Sequence, residues 1–232
     1  MALNYFSLGH PLAGLRSRFS MNARRRMFDM FMQRLNPNAN DNILDVGVTP
    51  DVTLVESNYF EAWYPHPERL LAVSIEDVTP LTAVFPRVRF EQVKPGPLPY
   101  RDNEFDIAFC SAVLEHVGDR ADQRRFLQEI ARVSRRFFVT TPNRGFPVEF
   151  HTMLPLLHWL PQPSHQRMLK ALGHEFLSRT ENLNLLSMNE MFQLTEGLGA
   201  VHVEGIRLVG MISNLIVWGE GIGQAGGPRG LE

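Results

Sequence analysis

Among 232 residues there is a single cysteine, Cys110. That excludes an intrachain disulfide and any multi-cysteine metal site. Cys110 lies within an apolar run and reads as a small buried hydrophobe. Lysine is nearly absent too, with only Lys94 and Lys170, so arginine supplies almost all of the 23 basic residues. A coding bias accounts for that choice. The formal net charge of −2 gives no field that would select nucleic acid or an anionic membrane. No apolar run approaches the length of a bilayer span, and the first residues lack a secretory-leader pattern, so a cytoplasmic protein is expected. What is present, 44% hydrophobic and 21% charged residues, fits one globular domain with a substantial core and some elaboration.

The most informative stretch runs from Leu98 to Val117, LPYRDNEFDIAFCSAVLEHV. Phe105, Ile107, Ala108, Phe109 and Cys110 form a nearly continuous apolar run, broken early by Asp106. Such a run suits a strand covered on both faces, as in a parallel sheet flanked by helices. Ligands in those sheets sit beyond the carboxyl ends of the strands. Ser111, Ala112, Glu115 and His116 therefore fall where a ligand is expected.

The same pattern recurs along the chain. Residues 22–35 place Met27, Phe28, Phe31 and Leu35 on one helical stripe, led by Arg24, Arg25 and Arg26. Strands are expected at Asn42–Gly47, Arg69–Ile75, Val88–Val93, Phe105–Cys110 and Arg136–Thr141. Short helices are expected around Asn58–Tyr64 and from Pro80 to Phe85, the latter with Thr79 as N-cap. A longer helix should bury Phe126, Leu127, Ile130 and Val133. Val201–Leu208 and Asn214–Gly219 are too close together for a parallel crossover and must form an antiparallel hairpin. Between Asn143 and Ala200 lies a stretch too long for an ordinary loop, with Met153, Leu154, Leu156, Leu157, Trp159 and Leu160. We read it as a helical lid or acceptor-side insertion on a single domain spanning 1–220. The glycine-rich residues 221–232 are expected to be disordered. Gly221, Gly223 and Gly226 match a dinucleotide fingerprint, but the chain ends six residues later and leaves no room for the helix that motif needs.

The segment from Leu98 to His116 resembles the centre of the class I S-adenosylmethionine-dependent methyltransferases. The similarity is to the type 11-like branch that includes quinone-biosynthesis, small-molecule and glycan methyltransferases. The matching residues are Leu98, Pro99, Tyr100, Asp102, Phe105, Asp106, Leu114, Glu115 and His116. The resemblance extends more weakly from about Asn42 to Glu220. It implies an α/β fold, a Rossmann-like seven-stranded sheet in the order 3-2-1-4-5-7-6 with helices on both faces. It also implies S-adenosyl-L-methionine as cofactor and a small-molecule or glycan- or lipid-linked acceptor.

Carried over residue by residue, the cofactor contacts implied are Asp45, Gly47, Val48, Thr49, Ser74, Glu76, Leu98, Ser111 and Ala112. Several depart from the family pattern. Thr49 and Asp51 stand where the family has two further glycines. Ser74 occupies the slot of the acid that binds both ribose hydroxyls, and Glu76, with the longer reach, is preferred over Asp77 for that role. Lys94 stands where an acid usually faces the adenine amino group, and an ammonium cannot accept that bond. Two readings stay open: the cofactor binds in an adjusted pose, or the fold persists without it in a partner or regulatory protein. A nicotinamide oxidoreductase is disfavoured by the missing glycine fingerprint after the first strand.

Methyl transfer from a sulfonium needs alignment of acceptor and methyl group, and sometimes removal of a proton. His116 is the nearest candidate, with a capping or framing role for Glu115 and His116 as the alternative. Glu149 and His151 alternate as i and i+2 after the fifth strand and would form a base and its orienting acid, or a polar pair that anchors the lid. His158, His165 and His174 show no ligand spacing, and no metal site is expected. Arg16, Arg18 and Arg24–Arg26 form either a solvated face or a site attracting a phosphate-bearing acceptor.

Overall fold

Strands β1 (Ile43–Val46), β2 (Leu70–Ser74), β3 (Arg89–Gln92), β4 (Phe105–Ser111) and β5 (Ser134–Pro142) are followed late in the chain by β6 (Val201–Leu208) and β7 (Met211–Glu220). In the computed structural model they form one seven-stranded sheet in the order β3-β2-β1-β4-β5-β7-β6. The model describes residues 13–53 and 57–222, with side chains from residue 20 onward. The first five strands run parallel, and β7 is antiparallel to both β5 and β6. β1 and β2 are buried along their whole length, as strands covered by helices on both faces must be. β3, at the edge, is largely exposed and carries Arg89, Glu91 and Gln92, charge and polarity that discourage further pairing.

The helices are α1 (Ala13–Leu35), α2 (Tyr59–Trp63), α3 (Leu81–Val84), α4 (Arg120–Val133), α5 (Gln162–Ala171) and α6 (Met188–Thr195). Alternation along the strands sends side chains to two separate cores. On one face Leu44, Val73, Ala108, Phe137 and Val217 pack under Leu127 and Ile130 of α4 and Met191 and Leu194 of α6. On the other, Ile43, Ala72, Ile107, Phe109 and Phe138 pack under α1 and α2. The α1 stripe is as expected: Met27, Phe28, Phe31 and Leu35 are all buried. Phe31 meets Phe60, Phe109 and Phe138 edge-on, with ring centroids 5.0, 5.4 and 5.6 Å away. Arg34 adds a two-pronged bond from α1 to Glu204 of β6, both contacts at 2.9 Å.

Some local expectations shift. Thr79 is not the N-cap of α3: that position falls to Pro80, and Thr79 instead donates its N–H and hydroxyl to Asp77. The stretch after β5 divides in two. Residues up to Leu185 build a small separate core around Leu169, Leu177, Leu183 and Leu185, whereas Leu186 already joins the main core. α6, by contrast, is part of the sheet's helical layer, capped by a reciprocal Ser187–Glu190 box. Leu156, Trp159 and Leu160 of the insertion are exposed, whereas Leu154 and Leu157 pack inward. The glycine-rich tail and most of its false fingerprint lie outside the described residues, as do the side chains of Arg16 and Arg18. Among the described residues no helix is long and apolar enough to cross a membrane.

Because Phe31 ties α1 to α2, β4 and β5 at once, Phe31→Ala should cost about 3–5 kcal/mol of unfolding free energy. Denaturant titration followed by far-ultraviolet circular dichroism measures it.

Candidate active site

The sheet order reverses between β1 and β4, and a crevice opens above their carboxyl ends. A cavity of about 610 Å³ occupies it. All nine residues expected to contact the cofactor line this cavity: Asp45, Gly47, Val48, Thr49, Ser74, Glu76, Leu98, Ser111 and Ala112. His116 and His151 line it too, and Glu149 stands behind His151.

The turn after β1 explains which glycine is retained. Gly47 has φ +98°, and a Cβ there would collide with the Val113 side chain. Its N–H donates to the Val73 carbonyl at 2.8 Å, holding the turn against β2. Thr49 and Asp51 do not close the crevice. Asn58, itself at φ +52°, receives the Thr49 N–H on its side-chain oxygen and donates its amide nitrogen to the Thr49 carbonyl. The Asp51 carboxylate accepts from the N–H and hydroxyl of Thr53, so its charge is met within its own loop. A side-chain clamp thus stands where bare backbone flexibility stands in the family pattern.

Opposite this turn, Ala112 sits at φ +57°, a costly conformation for a residue with a Cβ and one that concentrates at functional sites. Its N–H donates to Thr140. Ser111 bonds the Tyr59 hydroxyl at 3.1 Å and the Thr140 hydroxyl at 3.0 Å. After β2, Ser74 is buried and accepts the Glu76 N–H, and Glu76 faces the cavity. Asp77 is turned to Thr79 and does not line it. The preference for Glu76 over Asp77 therefore agrees with their placement. Lys94 is exposed at the cavity mouth.

Several lining residues escaped the sequence. Phe126, expected in the buried stripe of α4, is half-buried and faces the cavity. Arg24 reaches in from α1, its guanidinium 5.4 Å from the Tyr59 ring centroid. Its neighbours go elsewhere: Arg25 pairs with Asp29 and lies over Trp63, and Arg26 donates to the Arg207 carbonyl. Glu61 is the most consequential omission. Only 4% exposed, it lines the cavity beside Asp45, and among the described residues neither carboxylate oxygen has a hydrogen-bond partner of normal geometry. Burial raises the pKa of both acids, and the charge of Glu61 pushes that of Asp45 up further. An acid inside the aromatic run Tyr59-Phe60-Glu61-Ala62-Trp63 was the available signal.

At the other end of the cavity four groups meet. The Nδ1 of His151 lies 2.5 Å from Glu149, which also accepts from the Thr152 N–H and hydroxyl. The Nδ1 of His116 lies 2.6 Å from the Asn182 carbonyl. The two Nε2 atoms face each other at 3.2 Å. Burial, then the charge of His151, brings His116 down to about 3. Burial alone would raise Glu149, but His151 and its hydrogen bonds bring it to about 2. Burial opposes the charge on His151, yet Glu149 overcomes it and raises its pKa.

Residues 65–136 match the family model described as a methyltransferase domain. Solved structures share the architecture at low identity. A possible histamine N-methyltransferase of Thermotoga maritima aligns with a TM-score of 0.54 at 14% identity, covering 89% of this chain and 92% of that one. The chain shares the fold of S-adenosylmethionine-dependent methyltransferases. The N-methyltransferase NodS of Bradyrhizobium japonicum, solved with S-adenosyl-L-homocysteine, gives 0.51 at 12% identity over 85% and 86% of the two chains. The YcgJ protein of Bacillus subtilis gives 0.52 at 18% identity over 79% and 73%. No curated protein matches the chain.

Gly47→Ala should weaken S-adenosyl-L-homocysteine binding at least tenfold and cost about 2–3 kcal/mol of stability, since strain and collision act together. Calorimetric titration and thermal melts read the two effects separately.

Proposed function

We propose that this protein transfers a methyl group from S-adenosyl-L-methionine to a small-molecule acceptor or to the terminal group of a glycan- or lipid-linked one. The observation that carries this reading is the buried pair of carboxyl groups, Glu61 and Asp45, held side by side in the cavity. A buried carboxylate in that state is costly unless a cation compensates it. The donor supplies an activated methyl on a sulfonium and, at its amino-acid end, an ammonium. Asp45 and Glu61 would hold the ammonium, Gly47 and Val48 would let it approach, and Glu76 would accept from the ribose hydroxyls. Leu98 and Phe126 offer apolar surface for the adenine, and Ser111 and Ala112 border the methyl-bearing centre.

The acceptor end is assigned to His116 and His151. Glu149 fixes the His151 ring, and the Asn182 carbonyl fixes that of His116. Their facing Nε2 atoms present polar groups to a cavity that Val113, Val117 and Phe126 also line. Leu156, Trp159 and Leu160, exposed on the insertion, favour an acceptor with an aromatic or aliphatic part. The net charge of −2 supports an acceptor other than nucleic acid.

Calorimetry with S-adenosyl-L-homocysteine tests the reading. The wild-type protein should bind one equivalent, and Glu61→Gln should bind at least tenfold more weakly, about 1.4 kcal/mol. The same variant should melt at an unchanged or higher temperature, because it removes an uncompensated buried charge. Folded wild-type protein that takes up no ligand would favour a methyltransferase-like partner without catalysis.

A further inference from the structure

The histidine pair has a third member. Glu115 is fully buried; its Oε2 accepts from the Thr141 hydroxyl at 2.9 Å, and its Oε1 has no hydrogen-bond partner among the described residues. That Oε1 lies 3.9 Å from the Nε2 of His116. One ligand atom from each of Glu115, His116 and His151 falls within a sphere where all lie within 4.8 Å of one another. His151 is 35 residues from His116 and shares no motif spacing with it, so only the fold brings the three together.

The orientation of the rings is what separates this cluster from an ordinary buried polar pair. A carbonyl and a carboxylate only accept, so both Nδ1 atoms carry their protons toward Asn182 and Glu149. Where both rings are neutral, each presents its Nε2 lone pair toward the other at 3.2 Å, an arrangement that a proton or a metal ion between them satisfies. Two nitrogens bound at tetrahedral angles to one ion, each 2.0–2.1 Å from it, sit about 3.3 Å apart. Metal-ligating histidines almost always donate the other ring N–H to a carboxylate or a backbone carbonyl, and here one does each. Thr141 fixes the remaining ligand in the same way.

We infer that Glu115 Oε1, His116 Nε2 and His151 Nε2 bind one divalent first-row transition cation, with its open positions directed into the acceptor end of the cavity. Two imidazoles and one carboxylate suit zinc, iron, cobalt or manganese better than magnesium or calcium, which prefer all-oxygen shells. An ion so placed takes an acceptor through oxygen, as a hydroxyl or a vicinal pair of them, and lowers its pKa so that the hydroxyl proton passes to solvent water and the more nucleophilic alkoxide or phenolate stays on the ion. This last step deepens the methyl-transfer reading and rests on it; the ion site itself does not.

The test uses full-length protein stripped with a chelator and then exposed to Co²⁺ or Zn²⁺ alone. One equivalent of Zn²⁺ per chain should remain after desalting, and Co²⁺ should give the visible bands of a nitrogen- and oxygen-ligated ion. His116→Gln and His151→Gln should each lower the affinity at least a hundredfold, and Glu149→Gln about tenfold through the loosened ring. His202→Asn, on the far hairpin, should change nothing. Acetohydroxamate, a bidentate oxygen ligand, should shift the cobalt bands if open positions face the cavity. Wild-type protein that retains no stoichiometric ion overturns the site, whatever the variants do; so does uptake undiminished in both histidine variants. Cobalt bands unmoved by acetohydroxamate overturn its direction toward the acceptor. S-adenosyl-L-homocysteine binding by the stripped protein is scored separately, so failure of the ion site and failure of the donor reading are told apart.

Discussion

Two carboxyl groups held out of water beside each other, Asp45 at the end of β1 and Glu61 on α2, are the constraint around which the cavity is organised. Such a pair is tolerated only as a shared-proton state or in the presence of a bound cation. The aromatic packing of Phe31, Phe60 and Phe109 holds α2, and thus Glu61, over the sheet. Stability invested in that cluster keeps an intrinsically unfavourable charge in position.

The two ends of the cavity use opposite logic. The donor end concentrates acid near a strained turn, with Gly47 and Ala112 both at positive φ on either side of the crevice. The acceptor end concentrates imidazole, its rings fixed from behind by Glu149 and a backbone carbonyl. α1 spans the donor end, and Arg24 enters from it, so the N-terminal helix is part of the pocket wall as well as of the core. The insertion after β5 brings His151 to His116, which makes it a supplier of site residues.

Much of the fold was legible because β1, β2, β4 and β5 are buried on both faces, and continuous apolar runs bounded by turns are what that burial requires. The hairpin was legible from spacing, though not its extent: Val209 and Gly210 both adopt positive φ, and a valine gives no turn signal. α6 was folded into the insertion because its periodicity is short and its burial against α4 is a tertiary fact. The nine positions expected from the family pattern to contact a cofactor all line the crevice. Asn58 as clamp was not, since a left-handed asparagine that replaces glycine flexibility has no fixed spacing. Glu61 was signalled only by its place in an aromatic run, and the closure of Glu115, His116 and His151 not at all, since it depends on elements distant in sequence meeting in space.

The buried acids Asp45 and Glu61 are held ready for a cation. Titration calorimetry of S-adenosyl-L-homocysteine in buffers of different ionisation enthalpy counts the protons exchanged on binding. Ionisation of the Asp45–Glu61 pair against the ligand's ammonium predicts net proton release on binding, because burial raises both groups in the empty cavity and the ligand's charge opposes that rise. Binding with no proton release would contradict it.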